Sequence, residues 1–290
     1  ISMNMNGLFT ETTVTFDPKF KSDHLSINNN NVEGKGLERV SHILNIARQA
    51  AGIQFFAKVE SANNFPTGAG IASSAAAFAA LAMSSVNALN LGWEEAAISR
   101  LARQGSGSAS RSIPGGFVEW FKGEQEQDSF SATIAPADHW NLTDCVAIVS
   151  ASHKKTGSTE GHALAPSSPL QNARVDDTPR RLAICRKAIL DRDMRTLAEI
   201  IELDSNIMHG VMMTSTPALF YWQPETLAVM NAVREWRDGG LMAGYTIDAG
   251  PNVHVICESQ NAAEVKRRLE KVRGVQKVLV ATAGQGARLA

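Results

Sequence analysis

Cysteine is scarce in this chain: Cys145, Cys185 and Cys257 are scattered through 290 residues and odd in number. A disulfide framework is therefore not expected, no zinc-ligand spacing exists, and a reducing compartment is the natural setting. No run of eighteen apolar residues occurs, which excludes a membrane-spanning helix. The longest weakly polar run, Ala75 to Leu91, carries Ser84, Ser85 and Asn87 and reads as a buried helix. Positive charge is not in excess: 28 Lys and Arg face 29 Asp and Glu, a net charge of −1, which argues against a nucleic-acid partner. Internal repeats, long like-charge blocks and a signal-like segment are also missing.

What is present suits a folded, cytoplasmic protein of one large or two ordinary domains. Hydrophobic residues make up 44% and charged residues 20%, enough for a sizeable core. The first half reads as strands broken by long helices. Thr10–Phe16 is rich in β-branched residues, His24–Val32 reads as a hairpin around the Asn28–Asn31 run, and Ile53–Ser61 is a strand. Gly36–Gly52 is a helix with Leu37, Val40, Ile43, Leu44 and Ala47 on one face. Trp93–Gln104 is another helix, and Gly115–Lys122 and Cys145–Ser150 are strands. Cys145 and Cys257 lie in apolar strand-like runs and read as inert core. The second half brings helices at Thr178–Leu190, Met194–His209 and Pro224–Gly239. Strands at Gly244–Asp248 and Val253–Glu258, a helix at Ala262–Val272 and a strand at Gln276–Val280 follow, which suggests a ferredoxin-like second domain. Ala163–Asp177, with two prolines, is expected to be a boundary loop. The domains are expected at residues 1–165 and 166–290, within an α+β fold.

Four stretches carry chemistry. Asn63 to Ala77 is a glycine turn running into an alanine-rich helix. Its glycines let backbone approach a ligand, and helix amides with the dipole favour a phosphate at Gly70–Ser74. Ser73 and Ser74 add hydroxyls for phosphate or magnesium; an ordinary Ser-capped helix would show the same local pattern. No lysine follows, so this is not the common P-loop. Gly105 to Trp120 sets several serines around Arg111, whose planar fork suits a carboxylate or phosphate; a solvated loop is the plain alternative. Tyr245 to Asn252 places Asp248 at a strand end before Gly250-Pro251, where aspartate also serves simply as a turn former. Ser152 to His162 holds Lys154 and Lys155, which by themselves read as a solvated hairpin tip. Asn206 and His209 share a helix face and read as a satisfied buried polar pair.

The pattern Pro66-x-x-x-Gly70-Ile71-x-Ser73-Ser74-Ala75 resembles the nucleotide loop of the GHMP small-molecule kinases. Gly105-Ser-Gly-Ser-Ala-x-Arg111-Ser-x-x-Gly-Gly-Phe-Val-Glu-Trp120 and Thr246-x-Asp-Ala-Gly-Pro-Asn252 resemble one branch of that superfamily, the mevalonate diphosphate and phosphomevalonate decarboxylases. The likeness runs from about Thr10 to Arg288. It implies the two-domain GHMP fold, with a ribosomal S5-like first domain and a ferredoxin-like second. It also implies ATP and Mg2+ as cofactors, a phosphorylated mevalonate as substrate, and a homodimer.

Residue by residue, the likeness implies ATP binding by Pro66, Gly68, Ala69, Gly70, Ala72, Ser73 and Ser74, with Ser74 at the metal. Substrate contacts are implied for Ser106, Ser108, Arg111, Lys154, Lys155, Ser158, Thr159 and Glu160, and catalysis for Asp248 and Arg111. In the implied reaction the C3 hydroxyl is phosphorylated, phosphate leaves, and CO2 departs to give an alkene. Two departures stand out. Glu160 and His162 replace the family's residues, and the Glu160 carboxylate is expected to favour the monophosphate over the diphosphate. The family's opening Ala-x-x-Lys-Tyr-Trp-Gly-Lys strand has no counterpart, so residues are expected before Ile1. A GHMP kinase without decarboxylation, such as a mevalonate 3-kinase, and a non-catalytic binding protein remain the alternatives.

Overall fold

A computed structural model describes residues 1–65, 73–150 and 157–290. They form two compact units. The first holds residues 1–65, 73–137 and 284–290, and the second 138–283. The units thus divide earlier than the expected 165/166 break, and the last seven residues return to the first unit.

In the first unit, strands β1 (Ser2–Met3), β2 (Thr10–Asp17), β3 (His24–Ile27) and β4 (Asn30–Asn31) precede helix α1 (Lys35–Ala51). Then come β5 (Phe56–Asn63), α2 (Ser73–Ala88), α3 (Glu95–Gly105), β6 (Phe117–Trp120) and β7 (Ser131–Ala135). One sheet has the order β2-β5-β3-β4, and a smaller one β1-β6-β7. The β3–β4 hairpin forms at the Asn run because Asn28 and Asn29 adopt positive φ, 49° and 63°, which a tight two-residue turn requires. The apolar stripe of α1 buries Val40, Ile43, Leu44 and Ala47, as its periodicity predicts. With Phe78 and Leu81 of α2 and Leu101 of α3 it packs on Val14, Leu25 and Val59 of the larger sheet. Buried Asp23 anchors this layer. Burial alone would raise its carboxyl; the two-pronged bond from Arg48 and the Ala57 amide overcome that and hold it below the usual value.

The second unit runs β8 (Leu142–Ile148), α4 (Ser158–Leu164), α5 (Gln171–Asp176), α6 (Thr178–Asp191), α7 (Met194–Met213) and α8 (Pro224–Asp238). Strands β9 (Ala243–Thr246) and β10 (Val253–Glu258), helix α9 (Ala262–Leu269) and β11 (Lys277–Thr282) complete it. The sheet is antiparallel with the order β11-β8-β10-β9. This is the ferredoxin-like pattern, its first crossover expanded into five helices. Strand β8, expected to end the first domain, is the first strand of this sheet. All seven of its residues are buried, and it pairs with β10 and β11. Cys145 and Cys257 are free, buried core thiols in this sheet. The segment expected as a boundary loop, 163–177, is largely helical instead, containing the end of α4 and all of α5.

Candidate active site

The N-terminus of α2 carries what is described of the expected nucleotide loop. Pro66, Gly68, Ala69, Gly70 and Ala72 lie outside the described residues, as do Lys154 and Lys155. Ser73 and Ser74 open α2 and are half-buried. The first helical turn leaves its backbone amides without intrahelical partners, and the helix dipole is positive there. The helix beneath is held firmly: the Ser84 hydroxyl donates to Thr12 O at 2.6 Å, and Phe78 packs on Gly105 at the end of α3. A Cβ on Gly105 would lie 2.1 Å from the Phe78 ring, so glycine is what lets α3 meet α2 this closely. Arg39 closes the junction, donating to Gly105 O and covering the Phe78 face at 4.6 Å.

The Arg111 loop begins at that junction. Ser106 is extended, and residues Gly107–Ser112 wind into a 3-10 turn. The hydroxyls of Ser106 and Ser108 lie 3.4 Å apart and are half-buried, as is Arg111. Arg111 Nε donates to Ser2 Oγ, and its guanidinium centre lies 5.9 Å from the Trp120 ring. These contacts orient the guanidinium plane. Ser110, in contrast, is buried and architectural, bonded to Gly107 O, Ser131 Oγ and Ser99 Oγ. Phe117, at 1% exposure, pins the end of the loop.

The far side of the loop is braced by residues that sequence reasoning missed. Asn4 Nδ2 donates to Pro114 O, Asn4 N to Gly116 O, and Gly116 N to Gly284 O. Ala287 N bonds Ser112 O at 3.0 Å. The first and last segments of the chain therefore clamp the arginine loop.

In the second unit, Asp248 is exposed just beyond β9, on a turn closed by a 2.7 Å bond from Gly250 N to Asp248 O. Buried neighbours fix that turn. Thr226 of α8 donates to Pro251 O at 2.7 Å. Asn252, 1% exposed, accepts from Val149 N and Ser150 N at 2.9 and 3.1 Å and donates to Ser150 O at 3.0 Å. It ties the turn to the exit of β8. His209, behind Ile247, is buried as expected. Burial pushes its imidazole down to about 4, against the raising effects of the Ile247 carbonyl and the Asp248 charge.

Ser158, Thr159 and Glu160 start the seven-residue helix α4, where Glu160 is exposed. The side chains of Ser158 and Thr159 lie outside the described set. Burial raises the Tyr221 phenol, and the Glu160 charge raises it further. Thr214 to Pro217, with a cis Thr216–Pro217 peptide, is architectural: Ser215 Oγ bonds Met212 O and Pro217 O. Each unit thus carries one described feature of its own, an arginine–serine loop in the first and a braced aspartate in the second.

Two family models match in succession. A diphosphomevalonate decarboxylase-like N-terminal domain covers residues 1–131, and a mevalonate 5-diphosphate decarboxylase C-terminal domain covers 145–287. A diphosphomevalonate decarboxylase of Debaryomyces hansenii is 34% identical over 301 residues, spanning 96% of this chain and 77% of that protein. A phosphomevalonate decarboxylase of Haloferax volcanii is 33% identical over 261 residues, spanning 89% and 79%. The solved mevalonate diphosphate decarboxylase from Enterococcus faecalis superposes with a TM-score of 0.90 at 36% identity, over 98% of this chain and 87% of that one. A solved complex described as MDDEF with MVAPP, AMPPCP and magnesium gives 0.91 at 38%, over 98% and 88%. The fold is the two-domain α+β arrangement of GHMP type. The arginine–serine loop, the braced aspartate and matches along both halves agree: this chain belongs to the mevalonate diphosphate decarboxylase family.

Proposed function

We propose that this chain catalyses the ATP-dependent decarboxylation of a 5-phosphorylated mevalonate, forming isopentenyl phosphate or isopentenyl diphosphate in isoprenoid biosynthesis. The observation that carries the reading is Asp248, exposed on a turn that buried Thr226 and Asn252 hold still. An exposed carboxylate on a fixed backbone is suited to accept the proton of the substrate C3 hydroxyl. Arg111 is suited to the C1 carboxylate, because its fork makes two parallel charge-assisted bonds. Ser106 and Ser108 offer neighbouring hydroxyls for the rest of the substrate. The half-buried Ser73 and Ser74 at the start of α2 fit nucleotide phosphates. No cluster of three acidic, His or Cys side chains among the described residues could cage a metal. The Ser74 hydroxyl would serve as a protein ligand to magnesium.

When bound, ATP supplies the phosphoryl group and magnesium neutralises charge on its oxygens. Asp248 takes the hydroxyl proton as the C3 oxygen attacks the γ-phosphorus. Departure of phosphate then leaves C3 electron-poor. The pair from the breaking C1–C2 bond forms the C2–C3 double bond, and CO2 leaves from the carboxylate that Arg111 holds until cleavage.

The test is a panel of mevalonate, its 5-phosphate and its 5-diphosphate, reading ADP and CO2 release together. Equal ADP and CO2 from a phosphorylated substrate is expected, while ADP without CO2 would establish a kinase instead. Preference for the monophosphate is the outcome expected of Glu160, and preference for the diphosphate would place its carboxylate away from the ligand. Asp248→Asn should lose on the order of a thousandfold in turnover while still binding an ATP analogue; undiminished turnover would remove Asp248 from the chemistry. We further assign a cytoplasmic homodimer, in keeping with the family resemblance, checked by sedimentation and cell fractionation. No helix of the described residues is long and apolar enough to cross a membrane.

A further inference from the structure

Strand β9 is the edge of its sheet, bonded to β10 on one side only. An edge strand presents alternate backbone N–H and C=O groups outward. Here they are taken up by side chains from two helices. Arg237 of α8 donates to Ala243 O at 2.8 Å and makes a two-pronged bond to Glu202 of α7. Glu202 accepts from Tyr245 N at 3.3 Å. Ser205 accepts from Ile247 N at 3.0 Å and also lies 3.3 Å from Ile247 O. His209 Nε2 lies 3.3 Å from the same carbonyl. A carbonyl can only accept, so Nε2 carries the proton.

Glu202, Ser205 and His209 are spaced three and four apart and share one face of α7. They meet Tyr245 on the strand and Ile247 just past its end, so α7 stands in for a missing neighbouring strand. Close approach is possible because β9 has Gly244, where a Cβ would lie 2.6 Å from Ala198 of α7. The His209 ring is held in turn, tilted against Trp222 at 4.9 Å and edge-on to Tyr221 at 5.9 Å. The last rung of this ladder is Ile247, and the next residue is Asp248.

We propose that Ser205 and His209 are positioning residues for Asp248, gripping both backbone groups of Ile247 so that the carboxylate meets the substrate in one orientation. The functional half of this statement rests on the reading of Asp248 as the base. The grip itself does not. A small misplacement of a catalytic group is expensive in rate, so the loss should fall on kcat rather than on nucleotide binding.

The experiment uses the full chain with Ser205→Ala, His209→Ala and His209→Gln. Amide exchange across residues 245–250 is followed beside steady-state kinetics. Ser205→Ala is expected to speed exchange at the Ile247 amide roughly fivefold to tenfold, the equivalent of one lost hydrogen bond. His209→Ala is expected to lower kcat on the order of a hundredfold with KM for ATP within about twofold. His209→Gln keeps an N–H donor and should recover most of that loss. Unchanged exchange in both Ser205→Ala and His209→Ala would overturn the proposal. So would kcat near the parent value, or glutamine no better than alanine. Should the parent release neither ADP nor CO2, the functional reading fails, and exchange alone decides whether the grip exists. If His209→Ala does not fold, Ser205→Ala and His209→Gln carry the same comparison.

Discussion

Arg111 shows how much one residue's surroundings decide. Its type suits a carboxylate in any context, but a surface arginine would sample many orientations at a cost in side-chain entropy. Here Nε is engaged by Ser2 and the guanidinium lies beside Trp120, so the plane is set by the protein itself. Lysine at this position would keep the charge and lose the fork. We expect Arg111→Lys to lower kcat/KM by about 2–5 kcal/mol in transition-state terms, the penalty for breaking one side of a desolvated charge pair. Steady-state kinetics on the preferred substrate checks this, and a value within about twofold of the parent would make Arg111 a bystander.

At the scale of elements, the α2–α3 junction links the two features of the first unit that we propose to face ligand. The end of α3 leads directly into Ser106 and Ser108, and α2 begins at Ser73 and Ser74. Gly105 sets their separation, because the Phe78 ring occupies the space a side chain would need. Gly105→Ala must push the helices apart or turn the ring in a packed core. The expected destabilisation is about 1–3 kcal/mol, the usual range for overpacking. A thermal melt would show it, along with weaker binding of both nucleotide and substrate. Unchanged stability would mean that the ring yields freely and that the junction does not set the spacing.

For the whole molecule, pH is the simplest probe of the buried His209. Its imidazole is pushed down to about 4 in the folded state, mainly by burial, from an ordinary value near 6.5. The unfolded chain therefore takes up the proton first as pH falls. This contribution is fully present above about pH 6.5 and is lost on the way down to about pH 4. The expected loss between pH 7 and pH 5 is about 2 kcal/mol from this group alone. Asp23 sits below its usual carboxylate value, so the stability it contributes is lost at lower pH than this window. Chemical denaturation at pH 7 and pH 5 checks the prediction: the parent should lose stability that His209→Gln does not. Equal losses in the two proteins would assign the pH dependence to other groups.

Much of this was legible in the sequence, for reasons that differ by element. The helix α1 and its buried stripe followed from periodicity, because a 3.6-residue repeat is a local property. The β3–β4 turn followed from asparagine's tolerance of positive φ. Asp248 and Arg111 were singled out by family motifs; their chemistry alone left a turn former and a surface arginine as fair alternatives. What sequence could not yield were pairings between distant segments. Cys145–Ser150 read as a strand, but the membership of β8 in the second sheet depends on β10 and β11, over 100 residues away. The clamp of Asn4 and Gly284 on the Arg111 loop joins the two ends of the chain. His209 was read as a buried polar residue, which it is, but its grip on Ile247 needed the packing of α7 along an edge strand. Local residue order determined the elements and the reactive groups; only tertiary packing decided which backbone groups remained to be satisfied, and so which side chains hold the reactive ones in place.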